Sequence, residues 1–104
     1  MFTFEEKNNY ITLANFNHIN AAIYKINKLC ICSIYYNYNG ILPKIKIPFP
    51  ITFVTPPIVT IVDNGSDIAD AYNNIGIGWP TTTDVEVKGT NQGATLILIG
   101  QYLN

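Results

Sequence analysis

Residues 44–62 read KIKIPFPITFVTPPIVTIV, and this stretch decides the fold class. Lys44–Ile47 alternates polar and apolar side chains, which is typical of a strand with one exposed face. Ile58–Val62 is a run of β-branched residues and the strongest strand signal in the chain. The prolines between these segments cannot donate to a sheet ladder, so they separate the strands. The stretch therefore predicts short β-strands joined by turns.

The same pattern continues on both sides of this stretch. Further segments are β-branched, aromatic or alternating: Ile31–Tyr38, Ile51–Val54, Ile75–Trp79, Thr81–Lys88 and Thr95–Gly100. Asn39-Gly40 is a turn signal that often closes a hairpin. About five to seven short strands, with turns roughly every 8–12 residues, indicate an antiparallel β-sandwich or barrel. We therefore predict a mainly β fold with a β-sandwich head over residues 30–104.

Residues 12–29 show a different period. Apolar side chains recur with spacings of 3, 4, 3 and 4, at Phe16, Ile19, Ile23, Ile26 and Cys30. This is a heptad spacing, and isoleucine at both a and d positions favours trimers. Thr12 is a suitable N-cap, and Ala21 and Ala22 favour helix. We predict a trimerising helix over 12–29, with Phe16, Ile19, Ile23 and Ile26 at the trimer interface. The alternative is that this amphipathic helix packs on its own domain.

Residues 1–11 have no clear period. Phe2 and Phe4 alternate with polar neighbours, as on a short strand that packs against another surface. We interpret residues 1–11 as an extended N-terminal arm. Phe2 and Phe4 are expected to dock on a partner chain.

Charge and length exclude several classes of partner. The chain has 104 residues, a net charge of −1, no arginine and six scattered lysines, so nucleic-acid binding is not expected. The longest apolar runs, such as Leu96–Ile99, are far shorter than the roughly 20 residues that cross a bilayer, so membrane insertion is not expected. The N-terminus lacks the features of a signal peptide, which predicts folding in a cytoplasm. Only 12% of the residues are charged, which suggests a surface partly buried in an assembly.

The titratable residues form no catalytic pattern. Cys30 and Cys32 are two residues apart, where a mutual disulfide would be strained, so we interpret them as small buried side chains. His18 falls on the solvent side of the predicted helix. Asp63–Asp67 has part of the composition of a calcium loop but lacks the remaining ligands and the terminal glutamate. We therefore expect no catalytic residue, no metal and no cofactor.

Residues 47–60, IPFPITFVTPPIVT, are similar to a signature of phage tail-fibre and receptor-binding-protein tips, in which a Phe-Pro-x-x-Phe bend precedes a proline and a β-branched strand. Those tips typically end in an apolar strand closed by Ile-Gly, as Leu96–Gly100 does here. Leu13–Ile23 resembles the helices that precede phage baseplate and fibre domains. Two features depart from the pattern: Cys32–Asn37 stands where a Gly-rich turn and a tryptophan are usual, and Leu96 where an aromatic residue is usual. The resemblance implies an antiparallel β-sandwich head, a parallel homotrimer, and adhesion to a host-surface glycan or another virion protein.

The resemblance also implies a ligand site in loops far from the N-terminal entry of the chain or in clefts between protomers. The longest irregular stretch, Asp63–Asn74, leads to Trp79 and is rich in the carboxylates and amides that hold sugar hydroxyl groups. The predicted ligand-binding residues are Asp63, Asn64, Asp67, Tyr72, Asn73, Asn74 and Trp79. The alternative is a solvated connector with Trp79 in the core.

The expected function is that of a fibre protein on the virion surface, on a capsid or a tail, assembled in the host cytoplasm. Its head would mediate adhesion to a host-surface receptor, a glycan, and Phe2 and Phe4 of the arm would attach it to a capsid or tail protein. The alternative is a purely structural virion protein, such as a capsid head fibre, a decoration protein or a tail adaptor, with no host ligand. An enzyme is not expected, because the chain length leaves little room for a substrate cleft.

Overall fold

Eight β-strands are present in the computed structural model, which describes residues 2–38, 42–63, 76–89 and 93–104. In chain order they are β1 (Phe2–Lys7), β2 (Phe16–Ile26), β3 (Leu29–Tyr38), β4 (Leu42–Pro48), β5 (Ile58–Asp63), β6 (Gly76–Ile77), β7 (Asp84–Gly89) and β8 (Gly93–Gln101). All of the strand pairs are antiparallel. The mainly β, antiparallel character predicted from the sequence is confirmed.

The strands form two sheets around one hydrophobic core. β1, β2, β3, β8 and β5 make a five-stranded sheet in that order, and β4, β7 and β6 make a three-stranded sheet. Alternate residues of β2, β3 and β8 point inward from the larger sheet and meet Ile47, Val85 and Val87 of the smaller one. The fully buried side chains of this core are Ile19, Cys30, Cys32, Ile34, Tyr36, Ile47, Phe53, Val85, Val87, Leu96 and Leu98.

The predicted helix over 12–29 is wrong, because these residues form β2 and the turns on either side of it. β2 pairs with β1 along one edge and with β3 along the other. Ile19, Ala21 and Ile23 alternate into the core, which is the period of a strand. The two-residue turn Asn27-Lys28 connects β2 to β3, and Asn27 has a φ of 55°, a left-handed conformation that asparagine tolerates. The described residues include no helix of the length and apolarity that crossing a membrane requires.

The heptad interface is lost together with the helix. Ile19 and Ile23 are buried among side chains of their own chain. Phe16 packs edge-on against Tyr38, with the ring centroids 4.8 Å apart. Ile26 is exposed on the opposite face of β2. Four residues predicted to form one interface therefore lie on two faces of a sheet.

The N-terminal segment predicted as an arm forms the edge strand of the larger sheet and contacts the end of β4 in the smaller one. Phe2–Lys7 forms β1, the edge strand of the larger sheet, and Phe2 and Phe4 are exposed on it. Tyr10 packs against the core, and its hydroxyl donates a hydrogen bond of 2.6 Å to the carbonyl of Pro48 at the end of β4. Burial raises the pKa of the Tyr10 hydroxyl, so this donor keeps its proton. Residues that follow β1 therefore contribute to the packing of the head.

One predicted strand and one predicted hairpin are not found. Ile51–Val54, predicted as a strand, is irregular apart from a single bridge between Phe53 and Tyr102. The backbone NH of Phe53 instead donates to the carbonyl of Thr82 at 3.0 Å. Asn39-Gly40 lies outside the described residues, and the strands before and after it, β3 and β4, belong to different sheets and so form no hairpin.

Gly100 provides a test of the packing between β8 and the Pro-rich segment. A Cβ at Gly100 would lie 3.0 Å from Cδ1 of Phe53 and 3.2 Å from Cβ of Pro57. We expect Gly100→Ala to lower the free energy of unfolding by about 1–3 kcal/mol, because overpacking forces neighbours to move. Urea unfolding measures this, with the exposed neighbour Gln101→Ala as the matched control. A more stable Gly100→Ala variant, the usual result where alanine fits, would contradict the close approach.

Candidate functional site

Trp79 is the most exposed large hydrophobic side chain among the described residues, at 95% of its maximum. It directly follows β6 and Gly78, whose backbone NH donates to the carbonyl of Glu86 at 2.8 Å. After it, Thr81 Oγ1 accepts from the backbone NH of Asp84 at 3.0 Å and donates to the Asp84 carboxylate at 2.8 Å. The backbone is therefore held to β7 on both sides of Trp79, and the ring projects into solvent from a fixed position.

The ring of Trp79 stands beside an open apolar cavity. This cavity has a volume of about 340 Å³ and is lined by Val59, Ile77, Gly78, Trp79 and Pro80. Val59 comes from β5 of the larger sheet and Ile77 from β6 of the smaller one. The cavity therefore lies where the two sheets meet, with an aromatic ring at its rim.

A second cavity, which shares Ile77 and Gly78 with the first, supplies charged groups. It has a volume of about 270 Å³ and is lined by Lys44, Gly76, Ile77, Gly78, Glu86, Val87 and Lys88. A Cβ at Gly76 would lie 3.3 Å from Cε of Lys88, and one at Gly78 would lie 3.4 Å from Cβ of Glu86. The glycines thus leave room for these side chains to lie close to the β6 backbone. We call the two cavities together with Trp79 the β6 surface.

The predicted ligand-binding residues are only partly described. Asn64, Asp67, Tyr72, Asn73 and Asn74 lie outside the described residues. Asp63 is the last residue of β5, and its side chain is also outside the description. Trp79 is described, and its exposure excludes the alternative that it lies in the core.

The β6 surface contains groups that sequence reasoning missed. Lys44, Glu86 and Lys88 lie on β4 and β7, and only the pairing of those strands brings them beside β6. Ile77 could be placed on a strand from the sequence, because apolar residues alternate with Gly76 and Gly78 over Ile75–Trp79. Strand glycines often mark the close approach of another part of the backbone. The sequence therefore located the aromatic part of the surface and not its charged part.

A second surface feature is the outer face of the five-stranded sheet, which we define by the alternation of its strands. Its residues are Phe2, Phe4, Glu6, His18, Asn20, Ala22, Tyr24, Ile26, Leu29, Ile31, Ser33, Tyr35, Asn37, Ile58, Thr60, Val62, Gly93, Thr95, Ile97, Ile99 and Gln101. The strand register places five apolar residues of this face opposite one another, in the order Phe4, Tyr24, Ile31, Ile99 and Ile58. An unbroken apolar row thus crosses all five strands.

The buried thiols offer no reactive group. Cys30 and Cys32 are free and buried in the core, as the sequence predicted. Burial, with a smaller effect of the neighbouring Cys30, raises the pKa of Cys32 to about 12, so its thiol is protonated at neutral pH. The thiolate is the nucleophilic form of cysteine. Within the described residues, no three His, Cys, Asp or Glu side chains are grouped so that they could hold a metal ion.

No protein-family model, curated protein or solved structure matches this chain.

Proposed function

We propose that this protein is a virion-surface fibre protein whose β-sandwich head mediates adhesion to a host-surface glycan. The observation that carries the proposal is Trp79, which is exposed and held in place by hydrogen bonds on both sides. The two antiparallel sheets around one core agree with the fold that the resemblance to phage fibre tips implies. Attachment to a capsid or tail protein is proposed for residues 1–11, since β1 is an edge strand.

The β6 surface has the composition that a carbohydrate ligand requires. An indole ring offers a flat apolar face for the apolar side of a sugar, and it buries a large area on contact. Glu86 accepts hydrogen bonds from hydroxyl groups, and Lys44 and Lys88 donate them. Ligand sites in proteins generally combine an apolar wall with a few polar groups in this way.

We expect Trp79→Ala to abolish glycan binding while leaving stability nearly unchanged. The ring makes little contact with its own chain, so its loss should change the free energy of unfolding by less than about 0.5 kcal/mol. A glycan array with the purified protein measures binding, and thermal unfolding measures stability. Trp79→Phe should restore part of the binding, and Val54→Ala, an exposed apolar position outside both cavities, is the matched control. A wild-type protein that binds no glycan, or a Trp79→Ala variant that binds normally, would contradict the proposal.

The second candidate is a purely structural virion protein with no host ligand. The outer face of the five-stranded sheet favours it, because this face is suited to contact with protein and carries almost no charge. For this candidate, incorporation into particles should depend on the outer face and not on Trp79. The proposal in either form retains the homotrimer that the resemblance implies, but the heptad interface is no longer part of it.

A further inference from the structure

The outer face of the five-stranded sheet is unusually poor in charge for an exposed surface. Of its twenty-one residues defined above, none is a lysine, Glu6 on the edge strand carries the carboxylate, and His18 on β2 is the one histidine. The lysines of β4 and β7, by contrast, are on the smaller sheet. Phe2, Phe4, Tyr24 and Ile58 are among the large apolar side chains that remain exposed. A surface of this kind favours an apolar partner, because a charged ligand or protein would find no opposite charge here.

The two ends of the apolar row differ in shape, and each end defines one half of the outer face. Phe4 and Tyr24 form an aromatic half, with ring centroids 4.8 Å apart, and Phe2 adds a third ring 6.4 Å from Tyr24. Ile99 and Ile58 form an isoleucine half with shorter side chains on β8 and β5. Ile31 of the central strand β3 separates the two halves. The side chains of the row therefore project further from the sheet on the β1 side than on the β5 side.

We propose that the outer face is an interface between copies of this chain, in which the aromatic half of one copy packs on the isoleucine half of the next. Two faces that both slope in this way fit together when the high half of one meets the low half of the other. Pairing aromatic half with aromatic half would instead leave a gap between the isoleucine halves, and close packing disfavours such gaps. The arrangement assigns Phe4 to contact between copies, so the attachment proposed for residues 1–11 would use the open backbone edge of β1.

The size of the face agrees with a stable interface. With strands about 4.8 Å apart and successive outward residues about 7 Å apart, the twenty-one residues give a projected area of roughly 700 Å². Stable interfaces bury roughly 600–1,000 Å² on each partner. Interfaces between identical subunits are also more apolar than those between transient partners. A second copy of the chain is therefore the occupant that area, charge and shape favour together.

Sedimentation equilibrium on the wild type and on Ile58→Asp tests the interface. Ile58 is 72% exposed on an edge strand, so the substitution should preserve the fold, which circular dichroism confirms independently. We expect an oligomeric wild type and a dissociation constant raised by roughly a hundredfold or more in Ile58→Asp, because a carboxylate would be buried in apolar surroundings. Val54→Asp places the same charge at an exposed apolar position outside the face and should leave association unchanged. A monomeric wild type, or an Ile58→Asp variant that associates like it, would overturn the proposal.

A thiol cross-linking experiment tests the half-on-half arrangement. Packed sheets lie about 10 Å apart, beyond the reach of a disulfide, so a short bismaleimide is the suitable linker. Within one chain, β1 and β5 are four strand spacings apart, roughly 19 Å, which this linker does not span, and the native Cys30 and Cys32 are buried. Cysteines placed at Phe4 and Ile58 can therefore be linked only between different copies. We expect the Phe4→Cys, Ile58→Cys double variant to form covalent oligomers with the reagent and each single variant to remain unlinked. Efficient linkage of Phe4→Cys to itself, or no linkage of the double variant, would overturn the arrangement.

Discussion

Replacing Ile23 with aspartate is expected to leave the chain largely unfolded. Ile23 is 2% exposed and lies in the core between Ala21 and the turn after β2. An ionised carboxylate buried there without a partner costs several kcal/mol, and the loss of an apolar side chain adds to that. The total stability of a domain is only about 5–15 kcal/mol. Far-ultraviolet circular dichroism and thermal unfolding should both show loss of the native state at 25 °C.

The neighbouring residue gives the matched control for this experiment. Tyr24 lies on the outer face, and Tyr24→Asp introduces the same charge one position along the same strand. We expect Tyr24→Asp to remain folded, with association between copies weakened. A helix with Ile23 at its interface predicts a different result, a folded head that no longer assembles. A folded Ile23→Asp protein would therefore contradict the strand β2.

Replacing Phe53 with alanine is expected to lower the free energy of unfolding by about 3–5 kcal/mol, the usual cost for a buried aromatic residue. Phe53 is 1% exposed, and its ring packs edge-on against Phe49 with the centroids 5.7 Å apart. It also pairs through its backbone with Tyr102 and lies close to Gly100 of β8. The single side chain thus links the Pro-rich segment to the C-terminal end of the larger sheet. A cavity here would loosen the contact between both parts.

Urea unfolding of Phe53→Ala against Val54→Ala measures this effect. Val54 is the adjacent residue and is 46% exposed, so its truncation should cost less than about 0.5 kcal/mol. The corresponding fall in Tm for Phe53→Ala is more than roughly 10 °C in a domain of this size. If both variants have the same midpoint of urea unfolding as the wild type, the packing described for Phe53 is wrong.

Most of the fold after residue 29 was predictable, because its segments have the composition of strands and are separated by turn residues. The alternation of Asp84–Lys88 and the apolar run Leu96–Ile99 correspond to β7 and β8. Which strands pair was not predictable. β3 and β4 are consecutive in the chain yet lie in different sheets, and only tertiary packing determines this.

The error over residues 12–29 has a specific physical origin. Ile19 and Ile23 are four residues apart, a spacing that places side chains on one face of a helix and also on one face of a strand. Phe16 matches the heptad because the pairing of β2 with β3 shifts between Phe16 and His18, a bulge that sequence does not reveal. Ala21 bears most directly on the choice between helix and strand. It completes the alternation into the core, but alanine also favours helix, so the sequence predicts a helix.

The candidate site was predictable only where one residue carried the signal. Trp79 stands next to two glycines that alternate with apolar residues, and this local pattern located it. Lys44 and Lys88 are 44 positions apart in the chain and meet at β6 through strand pairing alone. The outer face could not be found from the helical period assigned to β2, because a wrong period assigns side chains to the wrong faces.

The position of β8 has a consequence for how the protein is made. β8 is the last of the eight described strands, yet it lies between β3 and β5 in the larger sheet. A ribosome that has not yet produced residues 93–101 therefore holds a chain in which β5 has no neighbour in its sheet and one edge of β3 is open. Exposed edges and apolar strands of this kind are recognised by chaperones and lead to aggregation. A chain that stops before β8 thus keeps the pairing of β1, β2 and β3 but cannot add β5 to the larger sheet, so the last described strand is the one that completes this sheet.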